Sequence, residues 1–133
     1  MARALLLDTC ALLWLGNTPE RFSAQAIEAI ESAPFLYASP ISLWEVALKN
    51  QTGKLMLAMS PEEWFSTLKS EYGISILQMN EAIALRAATL PLLHRDPADR
   101  FIIATAMLRG LTIVTADHRY ADYGVQTIVC IKN

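Results

Sequence analysis

Five short apolar runs, at 3–7, 35–38, 74–77, 111–115 and 127–131, alternate along the chain with longer segments whose apolar residues recur at helical period. The runs have the length and composition of strands buried on both faces, as in a parallel sheet under two layers of helices. Between them, 23–33 opens on Ser23 as an N-cap and carries Ile27 and Ile30 on one side, with its glutamates largely on the other. The segment 40–53 has Pro40 at its start and Gly53 as its stop. In 60–73 the signals are plainer: Ser60 caps, Pro61 takes the first helical position, Glu63 the third, and Gly73 closes. Segments 80–92 and 96–110 complete a strand–helix alternation. The pattern predicts an α/β fold with a central, mostly parallel sheet of about five strands flanked by helices. Ligands of such sheets bind beyond the carboxyl ends of the strands, so that edge is where chemistry is sought.

Size and composition sharpen this only a little. With 133 residues, 53% of them hydrophobic, the chain suits a single domain over 1–133 with a substantial core. Eleven basic against 13 acidic side chains give a net charge of −2, which excludes a general cationic nucleic-acid coat. A nucleic-acid substrate stays open, because acids gathered at a metal would lower the net charge while leaving basic residues on the rim. Cys10 and Cys130 are far apart with no CxxC spacing, so reduced, buried thiols are expected in place of a zinc site or disulfide. The apolar start is like a signal peptide, but Asp8 interrupts it and no small-residue cleavage site follows. No apolar run reaches the ~18 residues of a membrane span. A soluble, cytoplasmic domain is the expectation.

Four acids then break the pattern. Asp8 lies inside LLLDTCALLWL (5–15), at the end of the first strand, and Asp117 follows the fourth strand in IVTAD. Both belong at the carboxyl edge of the sheet, although Asp is also a common turn and cap residue. Glu45 falls on one stripe with Ile41, Trp44 and Leu48, so it is expected to face the core. The competing account is a stripe edge with a Glu45–Lys49 pair, worth only about 0.3–0.5 kcal/mol. Asp96, Pro97, Ala98 and Asp99 read as N-cap through N3 of the next helix. Asp99 shares a stripe with Ile102, Ile103 and Ala106, so it points to the sheet while Asp96 caps.

Four carboxylates converging on one edge would raise each other's pKa unless a cation intervened. Oxygen-only ligands select a hard ion, Mg²⁺ or Mn²⁺, which activates water and stabilises charge on a phosphodiester. Metal-dependent phosphodiester hydrolysis is the predicted reaction.

These residues resemble the PIN-domain ribonucleases, most closely the VapC-type toxins of bacterial toxin–antitoxin pairs. LLLDTCALLWL is similar to the first-strand motif, SLWEVALK (42–49) to the helix with the second acid, HRDPADRFIIATA (94–106) to the third and TADHRYADYG (115–124) to the fourth. The ordered set spans nearly the whole chain. The resemblance implies a PIN-like three-layer fold and metal binding by Asp8, Glu45, Asp99 and Asp117; Asp96, as the helix cap, takes a supporting place. It also implies a homodimer and a small antitoxin whose C-terminal segment lies along the active-site groove. Thr9 either hydrogen-bonds beside the site or caps the following short helix. RNA contacts are expected from Lys49, Arg95, Arg100 and Arg119, with His94 and His118 nearby, although each also suits an ordinary solvated surface.

Two other readings compete. An Asp after the first strand also serves haloacid-dehalogenase-type phosphatases, but Cys10 stands where their DxDxT pattern has its second Asp. A degenerate module that binds RNA or antitoxin without cleaving is disfavoured by the presence of all four acids, since a buried cluster kept without its metal is a liability.

Overall fold

The computed structural model describes residues 3–92 and 96–132. In chain order they form β1 (Ala4–Leu7), α1 (Thr9–Asn17), a 3-10 turn (Pro19–Arg21), α2 (Ala24–Ser32), β2 (Phe35–Ala38) and α3 (Pro40–Gln51). There follow α4 (Pro61–Tyr72), β3 (Ile74–Ile76), α5 (Glu81–Thr89), α6 (Pro97–Arg109), β4 (Thr112–Thr115), a 3-10 segment (His118–Tyr123) and β5 (Thr127–Val129). The five strands form one parallel sheet in the order β3-β2-β1-β4-β5. The predicted strands are all present. Residues 9–17, read in the sequence only as a short helix after Asp8, form a nine-residue helix, and neither 3-10 segment was anticipated.

β1 lies at the centre, with Leu6 paired to Tyr37 on one side and Ile113 on the other. Its successive leucines serve opposite faces. Leu5 and Leu7 join Leu12 of α1, Ile30 of α2, Val46 of α3 and Trp64, Phe65 and Leu68 of α4. Leu6 joins Ile83 of α5, Ile102 and Ile103 of α6, Ile113 and Tyr120. Each fully buried leucine contributes about 1.5–3 kcal/mol, so this strand is the most firmly fixed element available to carry a functional group.

The caps read from the sequence are in place. Ser23 accepts from the Ala26 N–H, Ser60 from the Glu63 N–H, and Gly73 ends α4 in the left-handed region. α3 differs from expectation. Its buried residues are Ser42 and Val46, whereas Trp44 is 58% and Leu48 39% exposed. The apolar stripe suits the core by residue type alone. The packed side instead uses a serine, whose hydroxyl is satisfied by Thr9 of α1 at 2.9 Å, so that two helices can approach closely. Glu45 therefore sits between the packed and the exposed sides and does not point into the core.

α1 is pressed onto α4 at Gly16. A Cβ there would lie 2.5 Å from Cζ2 of Trp64, whose Nε1 donates to Asn17 Oδ1 at 3.0 Å. Gly16→Ala is expected to destabilise the chain by about 1–3 kcal/mol through overpacking. Urea denaturation checks this; an unchanged midpoint would mean that the indole moves aside at no cost.

Candidate active site

At the carboxyl ends of β1 and β4 a cleft of about 450 Å³ is lined by Asp8, Thr9, Cys10, Leu13, Glu45, Lys49, Asp96, Asp99, Ala116, Asp117 and Tyr120. All four acids singled out in the sequence reach it, from the β1–α1 junction, α3, the first turn of α6 and the end of β4.

Asp8 is 4% exposed and ends β1 by capping α1, its Oδ1 accepting the Ala11 N–H at 2.7 Å. Its Oδ2 accepts the Thr115 hydroxyl at 2.6 Å. Burial pushes this carboxyl up to about 7; the bonds from Thr115 and Ala11 draw it back, and Asp99 and Asp117 push it up further. Desolvation, more than the mutual repulsion expected from the sequence, is the main cause. Thr115 carries the contact onward, since its Oγ1 also accepts the Asp117 N–H at 3.0 Å.

Glu45 is half-buried, and Thr9 Oγ1 donates to its Oε1 at 2.5 Å. Burial raises its carboxyl chiefly; the Thr9 bond and Lys49 lower it, while Asp96 and Asp99 raise it. The two roles left open for Thr9 are thereby separated: Asp8 is the helix cap, and Thr9 bonds beside the site. Asp99 and Asp96 divide as expected in position. Asp96 caps α6 through the Ala98 N–H at 2.9 Å, and Asp99 accepts the Tyr120 hydroxyl on Oδ1. Asp117 caps the 3-10 segment; its Oδ1 accepts from the Arg119 N–H at 2.9 Å and from Nε at 3.1 Å, and its Oδ2 accepts from Nη2 at 2.9 Å.

The basic residues fare less uniformly. Lys49 is exposed and lines the cleft, and His118 is exposed at the start of the 3-10 segment that follows Asp117. Arg119 is at the rim with its guanidinium on Asp117. Arg95 and His94 lie outside the described residues. Arg100 is a correction: it is 9% exposed and turned inward, so it does not present itself to phosphate. Its Nη2 donates to the carbonyls of Ala87 and Leu90, each at 2.8 Å, and its Nη1 to that of Pro91 at 3.1 Å. It thereby satisfies the end of α5, whose last carbonyls have no helical partner. Of the two cysteines, Cys130 is buried as expected but Cys10 is exposed in the cleft. Burial pushes the Cys130 thiol up to about 12; that of Cys10, exposed at its surface, is raised by partial desolvation against the cleft wall and by neighbouring Asp8, so both are poor nucleophiles at neutral pH.

Sequence reasoning missed Thr115, Tyr120 and Ser42. Thr115 had a faint signal, a hydroxyl residue ending a strand two positions before an acid. Tyr120 had none, because a buried tyrosine and a surface one look alike in a polar stretch.

Among the described residues no three His, Cys, Asp or Glu side chains stand close enough to enclose an ion as they are. Each cleft acid is instead held by a hydrogen-bond donor. The set still suits a hard divalent cation. Its donors are all oxygens, and Asp8 is a buried carboxylate whose two donors, a threonine hydroxyl and a backbone N–H, are neutral.

A model of the PIN domain family matches residues 5–126. The chain is 34% identical over 120 residues to Ribonuclease VapC22 of Mycobacterium tuberculosis, covering 90% of this chain and 91% of that one. Its fold is similar to a chain of DNA-bound VapBC from Salmonella typhimurium, with TM-score 0.66 and 19% identity over 95% and 97% of the two chains. A chain of promoter-DNA-bound VapBC2 from Rickettsia felis gives TM-score 0.69 and 15% identity over 94% and 97%.

The raised carboxyl of Asp8 has a stability consequence. The folded, metal-free chain holds the Asp8 proton between about pH 4 and 7, where the unfolded chain has released it, so stability falls as pH rises through that window. By pH 8 the loss approaches about 4 kcal/mol as an upper bound. Asp8→Asn keeps a capping oxygen and removes the charge. In chelator, its melting temperature at pH 8 is expected to exceed that of the wild type, with the slope between pH 4 and 7 flattened. Equal slopes in thermal melts would contradict this.

Proposed function

Because this chain belongs to the PIN-domain family, we propose that it is a metal-dependent endoribonuclease acting as the toxin of a toxin–antitoxin pair. The observation that carries the reading is the arrival of Asp8, Glu45, Asp99 and Asp117, from four separate elements, in one cleft at the carboxyl edge of the sheet. These four side chains would hold Mg²⁺ or Mn²⁺. Such an ion polarises a phosphoryl oxygen and lowers the pKa of water.

The chain's own residues prepare that chemistry. Asp8 is immobilised by the strand before it, the helix it caps and Thr115. Thr9 orients Glu45, and Tyr120 orients Asp99. Lys49, exposed at the rim, offers a cation to an RNA phosphate without reading sequence. Trp44 and Leu48, exposed on the helix that carries Glu45, offer apolar contact area to a protein partner, the antitoxin in this reading. The homodimer implied by the resemblance is part of the proposal. No helix among the described residues is long and apolar enough to cross a membrane.

Purified protein is expected to cut single-stranded RNA with Mg²⁺ or Mn²⁺ and to stop in excess chelator; full cleavage in chelator would overturn the metal chemistry. Asp8→Asn is expected to lose at least about 100-fold in cleavage rate, since losing outer-shell contacts alone costs 10–100-fold. Asp99→Asn is expected to be inactive and Asp96→Asn to retain activity, because Asn caps as well as Asp. The reverse outcome would transfer the ligand role to Asp96.

A further inference from the structure

The 3-10 segment His118–Tyr123 places a cation of the chain's own on one of the cleft acids. Both oxygens of Asp117 are engaged by Arg119, with Nε on Oδ1 at 3.1 Å and Nη2 on Oδ2 at 2.9 Å, in the side-by-side fork that suits guanidinium and carboxylate. The Arg119 side chain is 65% exposed and that of Asp117 27%, so the pair lies at the surface of the cleft's acid set. The stem is largely exposed, and the head occupies both carboxylate oxygens of Asp117. Resting on the metal reading above, we propose that Arg119 is a positioning residue that acts through Asp117. It holds the carboxylate in place and would compete with a divalent cation for the two oxygens, having to leave them before both could serve as ligands.

The test is calorimetric titration of the full chain with Mn²⁺, without RNA, for the wild type, Arg119→Gln and Arg119→Lys, with circular dichroism melts to establish folding. Arg119→Gln is expected to bind Mn²⁺ about two- to fivefold more tightly than the wild type, the range of an exposed ion pair. Arg119→Lys keeps the charge but loses the planar fork, and is expected to fall between the two. Glutamine binding no tighter than the wild type overturns the proposal. So does a lysine variant identical to the wild type, because that result assigns the gain to net charge and not to competition for the oxygens. If the wild type and both variants take up no Mn²⁺ at all, the metal reading itself fails.

Discussion

The carboxylate of Asp8 is held by one backbone N–H of α1 and one hydroxyl of β4, in a place where burial makes its charge costly. That arrangement joins three things at one point. It stops the central strand, starts the first helix, and ties β1 to β4 through Thr115, whose hydroxyl also receives the backbone of Asp117. The desolvation that raises the Asp8 carboxyl is a stability cost in the metal-free chain, and a divalent cation would offset it. Structure and proposed chemistry thus meet in the same group, and the apolar leucines around it act as the low-dielectric walls that strengthen any charge interaction there.

The other acids are arranged by the same means. Each is held by a donor from a different or neighbouring element: Glu45 of α3 by Thr9 of α1, Asp99 of α6 by Tyr120 of the 3-10 segment, and Asp117 by Arg119 two residues on. The cleft is therefore braced from several sides, and its carboxylates are held in place although Asp8 is raised by Asp99 and Asp117, and Glu45 by Asp96 and Asp99. Arg100, although basic and beside Asp99 in sequence, belongs to the bracing, closing the end of α5 against α6.

Much of this was legible in the sequence because the signals were local and periodic. Apolar runs located the strands, Ser and Pro located the helix starts, and acids interrupting those patterns pointed to the sheet edge. Asp99 was separable from Asp96 because a cap and a stripe position differ by the geometry of one helical turn. The errors have a common physical origin. Residue type misleads about burial here: Trp44 and Leu48 suit a core yet are exposed, and Arg100 suits a surface yet is buried. Ser42 is buried because Thr9 satisfies it, and the Arg100 guanidinium because carbonyls of α5 do. Thr115 and Tyr120 escaped notice because their importance lies in contacts 107 and 21 residues distant, which no local pattern reports.

The central claim is that these acids gather around a cation at the end of β1. Anomalous diffraction at the manganese edge from crystals saturated with Mn²⁺ tests it most directly. The expected result is a peak in the cleft bounded by Asp8, Glu45, Asp99 and Asp117, with its ligating carboxylate oxygens at about 2.1 Å, the spacing of a small hard divalent ion. A cleft without a peak, or one whose manganese sits on other residues, would contradict it.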